Sequence, residues 1–264
     1  MKVLVTGGAG FIGSHLIEKL LKEGNEVICL DNFNDYYDPL IKRNNIKAFL
    51  SKSKFNLAEA DIRDKASLDK IFRKFKIHKV IHLAAQPGVS FSLENPFSPY
   101  GVSKRTGELL CFNYNYLYHP PVTILRFFTV YGPKQRPDMA IYKFAKLIND
   151  EKETTLFGNG ETKRDYTFID DIINGITTCL RKDFDFQIFN LGYSKPITLL
   201  YLISLIEKNL KKKAKIKFLP SQLGDPPITY ADITKSKELL NFHPGVSIEE
   251  GIKNFIQWYK HEKT

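Results

Sequence analysis

The chain reads as an α/β protein built on a doubly wound parallel sheet, with a smaller α/β part toward its C-terminal end. Three observations predict this. Short apolar runs alternate with amphipathic helical stretches through the first half. A glycine turn, Gly7, Gly10 and Gly13, joins the first run to the first helix. Asp31 closes the second run, about twenty residues beyond the last glycine. A strand that turns through glycines into a helix leaves first-turn N–H groups for a pyrophosphate, and glycine permits the close approach of backbone to phosphate. A carboxylate at the end of the next strand accepts from the adenosine ribose and repels a 2′-phosphate. The pattern is Rossmann-type and points to NAD rather than NADP, the alternative being a glycine turn with only a structural role.

Taken in order, residues 2–6, 26–30, 55–59 and 79–84 predict strands, separated by helical patterns over 12–23 and 65–75. Asp61 closes the third strand, where it meets the adenine amine or caps the helix that follows. Leu83, Ala84 and Ala85 end the fourth strand, two of them small, as suits backbone passing close to a cofactor. A helix over 99–118, a strand over 122–127, a turn at 131–133, a helix over 139–149, a hairpin-like 156–161 and a strand over 188–191 come next. Residues 196–264 read as helix, strand, loop and helix. No linker interrupts the chain, so it crosses between two halves more than once: 1–132 with 165–195 for the dinucleotide, 133–164 with 196–264 for the substrate.

Composition narrows the functional classes. With 264 residues, 43% hydrophobic and 26% charged, the chain has the make-up of an ordinary globular protein. It contains no apolar run near the roughly 18 residues of a membrane span and no signal-peptide h-region, so a cytoplasmic protein is expected, without membrane contact. Cys29, Cys111 and Cys179 lie far apart in apolar patterns and read as buried thiols, neither a disulfide framework nor metal ligands; no metal is expected. The formal charge of +10 is compatible with an anionic small molecule. Its densest run, 208–217, has no interleaved aromatic residues and reads as a solvated helix end leading into a strand rather than a nucleic-acid patch.

Tyr100 and Lys104 stand at i and i+4, on one face of a predicted helix. An ammonium beside a phenol stabilises the phenolate and lowers a pKa of about 10, which makes tyrosine a usable base for an alcohol proton. A solvated helix face is the alternative for this spacing alone. Thr6-Gly-Gly-Ala-Gly-Phe-Ile-Gly13, His82-Leu-Ala-Ala85, Ser98-Pro-Tyr100-Gly-Val-Ser-Lys104, Leu125-Arg-Phe-Phe-Thr-Val-Tyr-Gly-Pro133 and Arg164-Asp-Tyr-Thr-Phe-Ile-Asp-Asp171 together resemble the extended short-chain dehydrogenase/reductase family of nucleotide-sugar epimerases and dehydratases. Within that family, Ser92-Leu-Glu-Asn-Pro96, Arg136-Pro-Asp-Met-Ala140, Gly224-Asp225 and Tyr230-Ala-Asp232 are most similar to the UDP-glucuronate 4-epimerases.

The resemblance implies reversible oxidation at C4 of a UDP-sugar, best matched by UDP-glucuronate giving UDP-galacturonate through a 4-keto sugar. It implies Tyr100 as base, with Lys104 holding the nicotinamide ribose. The implied NAD contacts are Gly7, Gly10, Phe11, Ile12, Gly13, Asp31, Asn32, Asp61, Ile62, Leu83, Ala84, Ala85, Tyr100, Lys104 and Phe128. On the substrate side it implies Thr129 near the C5 carboxylate, Arg164 and Arg136 at the diphosphate or that carboxylate, Phe157 along the uracil and Asp225 at the uridine ribose. A homodimer through the Tyr100 helix is also implied. A looser hold on the carboxylate gives the family's decarboxylases, and other nucleotide-sugar epimerases and dehydratases share the same motifs.

Two features depart from the family pattern. Ser90 stands where the uronate epimerases usually carry arginine. The interval from Gly13 to Tyr100 is shorter than the family's by on the order of fifty residues, enough for a helix and a strand. The missing stretch includes the hydroxyl that meets the sugar 4-OH; Ser90, Ser92, Ser98 and Ser103 are nearby, and none occupies that motif. Two classes follow: a UDP-sugar epimerase, or an NAD-binding remnant of the family without turnover.

Overall fold

The computed structural model describes residues 1–85, 99–221 and 226–262, with the backbone alone for 99 and 100. The chain forms two compact units, Met1–Gln86 with Lys134–Asp138 and Pro87–Pro133 with Met139–Thr264.

The first unit alternates β1 (Lys2–Thr6), α1 (Phe11–Lys22), β2 (Glu26–Asp31), α2 (Pro39–Lys47), β3 (Phe55–Glu59), α3 (Lys65–Lys74) and β4 (Lys79–His82). Its four strands are parallel in the order β3-β2-β1-β4. β1 and β2 are the inner strands, and Val3 to Val5 and Val27 to Leu30 are buried, as continuous apolar runs of an inner parallel strand should be. Leu16, Ile17 and Leu20 bury one stripe of α1, while Ile71 of α3 joins Leu4, Ile28 and Leu30 in a second cluster. α2 was not predicted from the sequence: it starts at Asp38, whose side chain accepts from Leu40 N, with Pro39 at the first helical position. β4 is an edge strand among the described residues and stops at His82, two residues short of the predicted end.

The second unit contains α4 (Pro99–Tyr118), β5 (Val122–Phe127), β6 (Thr129–Tyr131), α5 (Ala140–Asn149), β7 (Glu153–Phe157), β8 (Lys163–Arg164), β9 (Tyr166–Phe168), α6 (Ile169–Leu180), β10 (Phe186–Leu191), β11 (Ile197–Thr198), α7 (Leu199–Leu210), β12 (Lys215–Leu219), β13 (Ile228–Thr229), α8 (Thr234–Leu240) and α9 (Ile248–His261). β5 pairs in parallel with β10, β6 with β9 and β7 with β12, while β8 is flanked by β11 and β13. The hairpin expected at 156–161 is therefore absent. Gly158 and Gly160 do turn the chain with φ of 73° and 80°, but the strands they separate, β7 and β8, pair elsewhere. The lysine run ends α7 and enters β12, as expected, and every residue of β12 is exposed. Tyr131, Tyr166 and Phe168 meet edge to face in the core, where Phe255 and Tyr259 of α9 are also buried.

α4 is a 20-residue helix with an unusual balance. Leu109, Leu110, Phe112, Tyr114, Tyr116, Leu117 and Tyr118 are all exposed, so apolar side chains cover most of its circumference without burial. Cys111 is exposed with them, which corrects the expectation of three buried thiols; Cys29 and Cys179 are buried. Polar contacts hold the helix. Arg126 of β5 donates through Nε and Nη2 to both oxygens of Glu108 at 2.6 Å, and Arg105 reaches the same carboxylate. Asn115 is buried and donates to Pro120 O, Asp185 O and Asp185 Oδ1. His119, with φ of 57°, ends the helix before Pro120 and Pro121.

The Arg126 fork, assisted by Arg105, holds the Glu108 carboxyl down at about 2, against an ordinary value of 4.5. A depressed folded-state pKa contributes stability that is full above the unfolded value and is lost as pH falls toward the folded one. The stability difference between the native protein and Glu108→Gln should therefore be full above 4.5 and close as pH falls to about 2, measured by chemical denaturation at each pH. A difference independent of pH over that range would contradict the fork. Asn115→Ala should cost about 1–3 kcal/mol in the same assay, the penalty of leaving buried acceptors without a donor; an unchanged stability would mean that α4 is anchored elsewhere.

Candidate functional site

In the first unit the glycine turn is packed so tightly that side chains are excluded. Gly7 has φ of +65°, and a Cβ on it would lie 2.8 Å from Ala84 N; a Cβ on Gly13 would overlap the Gly7 carbonyl. The turn is pinned from both sides. Ala9 N donates to Asp31 Oδ2 at 3.1 Å, Ala9 O accepts from Asn45 Nδ2 at 3.1 Å, and Gly8 N donates to Leu30 O at 3.3 Å. Thr6 Oγ1 accepts from Ala84 N and lies 2.8 Å from His82 Nδ1, which fixes residues 82–84 beside the turn. Gly10 caps α1 without a side chain, and no acidic residue stands in the first turn. Free N–H groups, the positive end of the helix and the missing Cβ atoms make a cradle that fits a diphosphate.

Asp31 lies at the end of β2, only 5% exposed, and its other oxygen accepts from Phe33 N at 2.9 Å. Lys42 Nζ is 3.7 Å from the same oxygen, so the carboxylate faces a buried ammonium from α2. Asn32 is exposed and donates to Asp61 Oδ2 at 3.0 Å. Asp61 Oδ1 accepts from Arg63 N and Nε, and the Arg63 hydrogen bonds hold its carboxyl far below the usual carboxylate range. The capping alternative for Asp61 is not realised: Asp64 caps α3, accepting from Ala66 N. Phe11 is buried; Ile12, Ile62, Leu83 and Ala84 are half-buried, and Ala85 is exposed. Arg136 also belongs to this unit, where Asp138 takes its Nε and Nη2 at 3.1 and 3.0 Å and Tyr36 lies under the guanidinium.

The second unit carries the other candidates. The α4 backbone places positions 100, 104 and 108 at successive turns of one face, so Lys104, which is exposed, is a turn from the Arg126-bound Glu108. Phe128 N donates to Leu191 O and Thr129 N to Asp165 O, holding both half-buried residues beside β10 and β9. Arg164 is half-buried at the middle of the β11-β8-β13 sheet, with Nη1 donating to Lys163 O. Phe157, at the end of β7, is 42% exposed. Asp225, Ser90, Ser92 and Ser98 lie outside the described residues. Among the described residues no group of His, Cys, Asp or Glu is arranged to hold a metal ion, and no helix is long and apolar enough to cross a membrane.

Sequence reasoning missed three contributors. Lys42 and Asn45 went unseen because α2 went unseen; the signal was Asp38-Pro39, a cap followed by proline at the first helical position. Asp165 stands beside Arg164 within the Arg164-to-Asp171 motif, but its carboxylate's partners come from two distant segments, 193–194 and 231.

Residues 4–98 match the GDP-mannose 4,6 dehydratase family and residues 91–192 the NAD dependent epimerase/dehydratase family, the two matches meeting where the sequence runs short. A UDP-glucuronate 4-epimerase of Thermodesulfobacterium geofontis is 38% identical, covering 97% of this chain and 95% of that protein. That alignment runs over 309 residues against a chain of 264, and so opens a gap in this chain. UDP-glucuronate 4-epimerase 4 of Arabidopsis thaliana is 34% identical over 97% of this chain and 75% of its own length. Among solved structures, the UDP-glucuronic acid 4-epimerase of Bacillus cereus in complex with UDP-glucuronic acid and NAD matches with a TM-score of 0.92 and 35% identity, covering 99% of this chain and all of the other. A Rossmann-type parallel sheet, a side-chain-free glycine cradle and identity of this extent along the whole chain place the protein in the NAD-dependent nucleotide-sugar epimerase/dehydratase family of extended short-chain dehydrogenases/reductases.

Proposed function

We propose that this chain is an NAD-dependent 4-epimerase that interconverts UDP-glucuronate and UDP-galacturonate. The observation that carries the reading is the similarity to UDP-glucuronate 4-epimerases over nearly the full chain, and the glycine cradle with Asp31 supports it. NAD, when bound, supplies a reversible hydride acceptor for C4 of the sugar. The chain's own residues do the rest. The α1 N-terminus and Gly7 to Gly13 bind the diphosphate of the cofactor; Asp31, with Asn32, Asp61 and Ile62 nearby, takes the adenosine end. Tyr100 accepts the proton of the sugar 4-OH and later returns it, and Lys104 keeps the phenol acidic enough to do so. Leu83, Ala84, Ala85 and Phe128 border the nicotinamide.

On the substrate side, the short hydroxyl of Thr129 leaves room for the C5 carboxylate. A 4-keto uronic acid is a β-keto acid, so a firm hold on that carboxylate keeps CO2 from leaving. Arg164 and Arg136 have the guanidinium geometry for the diphosphate or the carboxylate. Phe157 offers its exposed ring to the uracil and Asp225 its carboxylate to the uridine ribose. In this reading residues 133–164 and 196–264 serve the sugar nucleotide and the remainder serves NAD. A homodimer through α4 would cover its exposed apolar side chains.

A second reading, an NAD-binding protein without efficient turnover, is favoured by one observation: the relatives align only by opening a gap, and β4 and β5 each pair on one side alone among the described residues. The two readings separate by rate. With UDP-glucuronate and NAD, proton NMR should show UDP-galacturonate growing in without net reduced cofactor, slower than a full-length relative by on the order of a hundredfold if acid–base geometry is lost. A pentose product would move the protein to the decarboxylases, and turnover of UDP-glucose but not UDP-glucuronate would overturn the uronate reading. Tyr100→Phe should abolish turnover while leaving NAD affinity nearly unchanged, since it removes the base and little else. Calorimetric titration should show NAD bound more tightly than NADP, with Asp31→Ala narrowing the difference; equal affinities in the native protein would remove Asp31 from the ribose.

A further inference from the structure

We infer that Asp165 is a positioning residue for the sugar nucleotide, acting through the main chain on the segments that carry Thr129, Arg164 and Tyr230 to Asp232. This rests on the reading of Thr129 and Arg164 as substrate contacts.

Asp165 is wholly buried, and its carboxylate takes three main-chain donors. Oδ1 accepts from Tyr193 N at 3.0 Å, and Oδ2 accepts from Ser194 N at 2.9 Å and Ala231 N at 3.0 Å. The Asp165 main chain reaches two further segments: its N donates to Thr229 O at 3.0 Å, and its carbonyl accepts from Thr129 N at 3.1 Å. One residue thus joins the start of β6, the loop after β10 and the stretch following β13. A second tie runs between the same two loops, Ser194 Oγ donating to Ala231 O at 2.7 Å. Space around the carboxylate is closed: a Cβ on Gly192 would come within 2.7 Å of Asp165 Oδ2 and overlap the Ala231 side chain.

The arrangement matters because the strands it serves are short. β8, β11 and β13 have two residues each, with Arg164 paired to Ile197 on one side and Thr229 on the other. Ladders of that length fix little by themselves. The adjacent buried carboxylate, with three charge-assisted bonds, supplies the order that the ladder lacks and holds the Arg164 backbone in place. A carboxylate offers an acceptor to each partner, and Tyr193 N is shared with Thr167 Oγ1 at 3.0 Å. All three partners are N–H donors, and an asparagine would offer one oxygen and turn an NH2 group toward an N–H.

The test is calorimetric titration of the full chain with UDP and, separately, with NAD. Asp165→Asn should weaken UDP binding by about tenfold or more, the order of replacing a charge-assisted hydrogen bond with two opposed donors, while NAD affinity stays within about twofold. Ser194→Ala, which cuts the second tie without touching the carboxylate, should weaken UDP binding in the same sense by about threefold, roughly the value of one ordinary hydrogen bond. A merely structural role would lower the melting temperature of Asp165→Asn and leave the UDP affinity of the folded protein unchanged, which would overturn the inference. If Asp165→Asn does not fold, unchanged UDP binding by Ser194→Ala overturns it equally. Native protein that binds NAD but not UDP would instead overturn the substrate reading beneath it.

Discussion

A main-chain N–H withdrawn from water has to find an acceptor, at a cost of about 1–3 kcal/mol where it does not. Both units meet that constraint with one buried carboxylate at a strand end. Asp31 takes Ala9 N from the glycine turn and Phe33 N from the loop after β2. Asp165 takes Tyr193 N, Ser194 N and Ala231 N. In each case the carboxylate holds a segment that carries candidate contacts, the glycine turn after β1 in the first unit and the stretch after β13 in the second. Loop geometry in both units is thus set by polar fixation against strands, with apolar burial supplying the strands themselves.

α4 is organised on the opposite principle. Its sequence is apolar around most of the helix, the composition of an element meant to be enclosed, yet its described side chains are nearly all exposed. Glu108 and Asn115 fix its position against β5 and the start of β10, with Phe112 against Phe186 the aromatic contact between them. Among the described residues the apolar side chains of α4 stand exposed, and β4 and β5 each pair on one side alone. The polar anchors keep positions 100 and 104 in a defined register with β5 where burial does not.

The first unit was legible in the sequence because inner parallel strands advertise themselves. Val3 to Val5 and Val27 to Leu30 are continuous apolar runs bounded by glycines and an aspartate, and their burial follows. α2 was illegible for the reverse reason: the residues it buries are Lys42, Asn45 and Ile46, so its inward face has no apolar period to read. The misread hairpin shows that turn residues identify turns and not pairing partners, since β7 finds β12 some sixty residues later in a parallel pair that no local signal encodes. Cys111 sits in an apolar helical pattern, which reads as interior; the pattern is real, and the face that carries it is exposed. Asp165 could be quoted as part of a motif but not given a role, because its role exists only once residues 193, 194 and 231 are brought to it.

Reversible hydride transfer at C4 of a UDP-uronic acid can be followed with an isotope at that carbon. UDP-glucuronate deuterated at C4, incubated with the protein and NAD in ordinary water, should give UDP-galacturonate that keeps its deuterium at C4, because the same hydride leaves and returns. Product carrying solvent hydrogen at C4, or no product from protein that binds NAD, would rule out that transfer.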